Sequence, residues 1–248
     1  MRRRRLLRTL AAGLAASIGA APNATHGARA ARAANNDAPR ESTMNRKPIP
    51  SSGEPLPVIG CGTWIAFDVS PRSAEYERLR DVLLALFDAG GSVVDSSPMY
   101  GRAEDVSGRL LDETGTRERA FVATKVWTSG RDAGIRQMEE SFRLLRTRTI
   151  DLMQVHNLVD WRTHLPVMRD WKAQGRVRYI GVTHYTSSAY PQLEQVLRSE
   201  TLDFVQLNYS IDDRAAEKRI LPLAAERGIA VLVNRPFGGG GLLRSLRD

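Results

Sequence analysis

The sequence predicts a parallel α/β barrel of the (β/α)8 type, with seven of its eight strands present in the chain. Three observations carry that prediction. From residue 56 onward, short apolar runs alternate with longer amphipathic ones. Most of the short runs are continuously apolar, as strands covered on both faces are. No G-x-G-x-x-G follows the first run, which counts against a doubly wound dinucleotide-binding sheet.

Taken in order, residues 1–34 read as a signal-like leader. Arg2 to Arg5 and Arg8 form a basic start, a modestly apolar stretch runs from Leu10 to Ala21, and Ala28-Arg29-Ala30 and Ala31-Arg32-Ala33 both offer an A-x-A cleavage pattern. The apolar stretch is far short of the roughly 20 residues that span a bilayer. Arg3-Arg4-Arg5-Leu6-Leu7 is similar to a twin-arginine export signal, which predicts a periplasmic or exported protein. The alternative is a cytoplasmic protein that starts at Met44. Of the net charge of +8, six units belong to residues 1–43, which hold eight arginines and two acids. The rest of the chain is nearly neutral, so a nucleic-acid partner is not expected. The single cysteine, Cys61, excludes an internal disulfide and a Cys-rich metal site.

Residues 35–55 read as linker and N-terminal extension, with no packed core expected before Ser52. Residues 56–248 carry the barrel. The strand-like runs are Val58–Trp64, Ser92–Ser96, Phe121–Lys125, Asp151–His156, Arg178–Thr183, Asp203–Leu207 and Ile229–Asn234. Helical patterns lie between them near Tyr76–Ala89, Glu104–Asp112, Ile135–Leu145, Leu165–Gln174, Ala189–Leu197 and Arg214–Arg227. In the first helix Tyr76, Leu79, Leu83 and Leu86 recur at steps of three and four, and Gly90-Gly91 stops it.

In a barrel, all strand ends open onto one mouth. Asp95 closes the second run, Tyr100 follows in its loop, Lys125 ends the third and His156 ends the fourth. Each alone has an ordinary explanation, a solvated strand end or a structural histidine. Together they compose a proton donor. A tyrosine hydroxyl has an unperturbed pKa of about 10. A neighbouring ammonium lowers it, a carboxylate holds that ammonium, and a histidine orients a carbonyl.

The stretch Asp95-Ser-Ser-Pro-Met-Tyr-Gly-Arg-Ala-Glu-Asp-Val-Ser-Gly108 resembles the aldo-keto reductase signature, departing at Ser107, where an aliphatic residue is usual. The resemblance covers about Val58 to Leu243. It implies reduction of small carbonyl substrates with NADP, or NAD, with Asp95, Tyr100, Lys125 and His156 catalytic. It further implies that Trp64 and Trp127 wall the substrate pocket with His156. Thr63, Asp95, Thr183, His184, Gln206, Arg235, Gly238 and Gly239 would contact the cofactor. His184 and Arg235 depart from the residues usual at their positions. Neither a metal, an integral membrane segment nor a given oligomeric state follows from the resemblance. The family pattern continues past Asp248 with an eighth strand and the residues that hold the adenosine phosphate, so the chain is expected to be a fragment. Two other readings stay open: a cofactor-binding barrel with little turnover, and a barrel aldolase with Lys125 as Schiff-base nucleophile.

Overall fold

Seven strands join in one parallel sheet: β3 (Gly60–Gly62), β4 (Val93–Asp95), β5 (Phe121–Val126), β6 (Ile150–His156), β7 (Val177–His184), β8 (Phe204–Asn208) and β9 (Ala230–Asn234), each bonded to its neighbours in chain order. The structure, a computed structural model, describes residues 44–245; the predicted leader lies outside the described residues. The connecting helices are α1 (Ala74–Asp88), α2 (Ala103–Glu113), α3 (Arg131–Leu144), α4 (Trp161–Ala173), α5 (Tyr190–Ser199) and α6 (Ile220–Glu226), with a short α7 (Gly241–Ser245) after β9. All seven expected strands and all six expected helices are present. No helix among the described residues is long and apolar enough to cross a membrane.

The sheet curls on itself. β4 and β8 are four strand spacings apart, about 19 Å if the sheet were flat, yet Gln206 of β8 reaches Asp95 of β4 at 3.0 Å. The parallel register sets which residues share the enclosed face, because side chains alternate along a strand. Val93, Phe121, Leu152, Tyr179, Phe204 and Ala230 form its lower layer, and Asp95, Lys125, Gln154, His156, Thr183 and Gln206 its upper one. The lower layer is an apolar plug, with Phe121, Tyr179 and Phe204 in mutual ring contact. The outward residues pack on the helices in a second, larger core. Burial on both faces is why the strands read as unbroken apolar runs. In α1 the buried stripe is Tyr76, Leu79, Leu83 and Phe87; Ser73 caps its start by accepting the Tyr76 N–H.

The linker expected over residues 35–55 is corrected for its described part. β1 (Arg46–Pro48) and β2 (Pro55–Pro57) form an antiparallel hairpin. Its Ile49 is 1% exposed and, with Leu56, seals the lower end of the apolar plug. Three-residue strands bounded by prolines carry no periodicity, so only the open underside of the barrel reveals why Ile49 and Leu56 are apolar.

Candidate active site

Asp95 and Lys125 come from the adjacent strands β4 and β5, and their pairing anchors the site. Lys125 Nζ donates to both Asp95 carboxylate oxygens, at 2.9 and 2.8 Å, and to the Ser96 carbonyl at 2.7 Å. Lys125 is 1% exposed, so its three protons are spent on three acceptors. Gln154 and Gln206 each donate an amide N–H to Asp95, at 3.3 and 3.0 Å. A buried carboxylate needs such compensation, because an unpaired charge out of water is costly. Gln154 was not among the expected residues. Its signal was its place two residues before His156, on the same face of the strand.

Tyr100 reaches the cluster from the loop after β4. Its N–H donates to the Ser97 carbonyl at 3.0 Å, and Asp68 accepts from both the backbone and side chain of Arg102, each at 3.1 Å. Between them Gly101 has φ 61°, and a Cβ there would lie 2.5 Å from the Asp68 carboxylate. Glycine is required on both counts. The Lys125 ammonium lies 5.3 Å from the Tyr100 ring centre, and the His156 ring meets Tyr100 edge-on at 5.8 Å. The four side chains expected at the mouth therefore do converge.

Their electrostatics differ from expectation at one point. The Tyr100 hydroxyl is held well above its ordinary pKa, first by burial and then by the Asp95 charge, with Arg235 pulling the other way. Lys125, expected to lower it, is not among these causes; both Asp95 oxygens accept from its ammonium. Tyr100 is therefore fully protonated at neutral pH. His156 is pushed down to about 3 by burial and by Lys125 and His184, so its imidazole is neutral.

Trp127 and Trp64, the two expected pocket walls, are both about half exposed, and Trp127 lies 6.5 Å from His156. The Trp127 loop is fixed by contacts invisible in sequence. Trp127 N–H donates to Gln137 Oε1 at 2.6 Å, Gly130 N–H to Asp160 at 2.7 Å, and His164 Nε2 bonds the Thr128 carbonyl at 2.7 Å. Arg235, with φ 54°, lays its guanidinium 5.7 Å over Trp64 and 4.8 Å over Tyr185. That places it against Trp64, one of the two expected pocket walls.

The expected cofactor set divides. Thr63 is fully buried, its hydroxyl within 3.1 Å of the Asp95 carbonyl and 2.9 Å of Ser96 Oγ; it ties β3 to β4 beneath the carboxylate and does not face the mouth. Thr183 stands in register with His156 and Gln206. His184 stacks on Tyr185 and accepts the Thr186 N–H at Nδ1. The Gln206 amide nitrogen is committed to Asp95. Gly238 and Gly239 follow β9 in a tight turn with φ 57° and 64°. Asn234 Oδ1, at the end of β9, is a buried acceptor with no partner among the described residues. Such an orphaned acceptor fits a ligand that donates hydrogen bonds, as a nicotinamide carboxamide does. No group of three or more metal-ligating side chains is assembled among the described residues.

Comparisons with known proteins agree with this geometry. The profile of the Aldo/keto reductase family matches residues 58–248. Methylglyoxal reductase YeaE of Escherichia coli K12 is 31% identical, over 82% of this chain and 72% of that protein. An NADH-specific methylglyoxal reductase of the same organism is 27% identical, over 79% and 68%. Among solved structures, an aldo/keto reductase from Klebsiella pneumoniae in complex with NADP and acetate superposes with a TM-score of 0.66 at 27% identity, covering 77% of this chain and 68% of that one.

Proposed function

This chain belongs to the aldo/keto reductase family of NAD(P)H-dependent carbonyl reductases, and we propose that Tyr100 is its proton donor and His156 the group that orients the substrate carbonyl. The observation that carries the reading is the convergence of Asp95, Lys125, Tyr100 and His156 from three successive strand ends onto one point of the mouth. Thr183, His184, Gln206 and Asn234 would hold the nicotinamide end of the cofactor, which supplies the hydride. The neutral His156 donates a hydrogen bond to the carbonyl oxygen. Tyr100 then gives its hydroxyl proton to that oxygen as negative charge develops there. An alkoxide is more basic than a phenolate, so the transfer runs downhill even from a tyrosine whose pKa burial has raised. Lys125 lies beside the phenolate that remains, and Asp95 with the two glutamines holds Lys125 in place. The two half-exposed tryptophans would wall the substrate.

Lys125 is poorly suited to be a Schiff-base nucleophile, since a lysine nitrogen that forms an imine needs a free lone pair and all three of its N–H groups are bonded. The test is Tyr100→Phe, assayed by NADPH consumption with methylglyoxal as the first substrate, because two relatives are named for that activity. Turnover should fall by about 10²-fold or more, the usual scale for a lost general acid, with NADPH binding intact. Near-normal turnover would overturn the assignment. A barrel that only binds cofactor would instead bind NADPH without consuming it in the unaltered protein.

Export by a twin-arginine route is a companion proposal, supported by Arg3-Arg4-Arg5-Leu6-Leu7 alone. Replacing Arg3 and Arg4 by lysine should block export of a fused reporter. Cytoplasmic retention of the unaltered fusion would refute it.

A further inference from the structure

Ser97 belongs to no role assigned above, yet it is fully buried and its Oγ lies 3.0 Å from His156 Nδ1. The two residues are 59 positions apart, joined only because the loop after β4 folds over the end of β6. We propose that Ser97 is a positioning residue that fixes the tautomer of His156, so that the imidazole presents Nε2–H to the substrate carbonyl.

The argument is one of counting protons. A neutral imidazole has one N–H and one bare nitrogen, and a serine hydroxyl has one proton. Two arrangements fit the 3.0 Å contact. In the first, Ser97 O–H donates to Nδ1 and the ring proton is on Nε2. In the second, Nδ1–H donates to Ser97 Oγ and Nε2 is bare. The second needs another acceptor for the serine proton. The one other partner of Ser97 Oγ among the described residues is the Met99 N–H, at 3.5 Å, which is itself a donor. A buried hydroxyl would then be left with its proton unpaired, so the first arrangement prevails. The ring stays neutral because burial opposes protonation and the Lys125 ammonium adds positive charge nearby. Nε2 has no protein partner among the described residues, and it is not one of the enclosed orphan atoms, so it remains open toward the mouth.

The chemical consequence follows directly. A carbonyl oxygen only accepts hydrogen bonds. The Nε2–H tautomer can orient it, whereas the other tautomer would set lone pair against lone pair. This consequence rests on the reading of His156 as the carbonyl-orienting group; the tautomer itself does not.

The two are tested separately. The chain has four histidines, so in ¹⁵N-histidine-labelled protein the His156 signals are identified by their loss in His156→Gln. The unaltered protein should show a protonated Nε2 and a bare Nδ1, and Ser97→Ala should shift His156 toward a mixture of tautomers. Ser97→Ala should also lower kcat/KM for the carbonyl by about three- to tenfold, the scale of one lost hydrogen bond, while the Kd for NADPH stays constant. Ser97→Thr, which keeps a hydroxyl, should restore both readouts. A His156 protonated at Nδ1 in the unaltered protein, or an Ala variant whose His156 spectrum is unchanged, would overturn the proposal even if Tyr100→Phe is inactive as expected. If the spectra behave as stated but His156→Gln reduces carbonyls at the unaltered rate, the orienting role of His156 falls and the effect of Ser97 on turnover falls with it.

Discussion

Lys125→Met should cost stability as well as activity, and the structure sets how much. Methionine fills a similar volume but removes all three hydrogen bonds of the ammonium, to both Asp95 oxygens and to the Ser96 carbonyl. Asp95 is left with two amide donors, Gln154 and Gln206, and no cation. Breaking a buried ion pair by removing one partner costs about 3–5 kcal/mol. The Asp95 side chain keeps 14% exposure and two donors, so the lower part of that range applies, about 3–4 kcal/mol. Against a typical total of about 5–15 kcal/mol the variant still folds. Its Tm should drop by about 6–16 °C, at roughly 2–4 °C per kcal/mol for a chain of this size. The double variant Lys125→Met with Asp95→Asn removes the stranded charge and should recover part of that loss without recovering turnover. Urea unfolding with parallel NADPH-consumption assays reads both quantities. A Lys125→Met protein within about 0.5 kcal/mol of the original, or a double variant less stable than the single one, would refute the picture of a charge pair whose members need each other.

Three further outcomes are expected. His156 binds a proton with pKa about 3 when folded and 6.5 as its ordinary value, so between those values the unfolded chain binds more protons and stability falls as pH falls. The slope approaches about 1.4 kcal/mol per pH unit. Glu104 and Asp151, pushed up by burial, act in the opposite sense, so the quantity to measure is the difference between the original protein and His156→Gln at pH 7 and pH 5. Equal losses in both would contradict the buried neutral imidazole. Gly101→Ala forces a Cβ to 2.5 Å from the Asp68 carboxylate at a positive φ; kcat should fall as the Tyr100 loop shifts, and the crystal structure of the variant should show Asp68 displaced. Ser107 in α2 is fully buried and its hydroxyl has no partner among the described residues, so Ser107→Ala should leave activity unchanged and raise stability by up to about 1 kcal/mol, read as a higher urea midpoint.

The amino-acid sequence by itself determined the alternation of strands and helices and the order of the catalytic side chains. Strands covered on both faces leave continuous apolar runs, and helices leave a period near 3.6, because each residue records its own burial. Asp95 and Tyr100 were legible for a related reason: one strand end and the loop that follows it hold both, six residues of chain that need no knowledge of the rest of the fold. What each side chain meets across the barrel was not legible. Gln154 and Gln206 compensate Asp95 because curling brings β6 and β8 opposite β4, and Ser97 finds His156 because a loop folds over another strand end. The sign of the Tyr100 shift needed the same knowledge. A nearby lysine alone argues for a lowered pKa, but Asp95 holds that lysine by both oxygens and burial then dominates. The hairpin at residues 46–57 is the clearest case, since Ile49 has no periodic neighbours and acquires its reason only from the open end of the barrel beneath which it packs. Composition and spacing report how deeply a residue is buried; only the curled sheet decides against what.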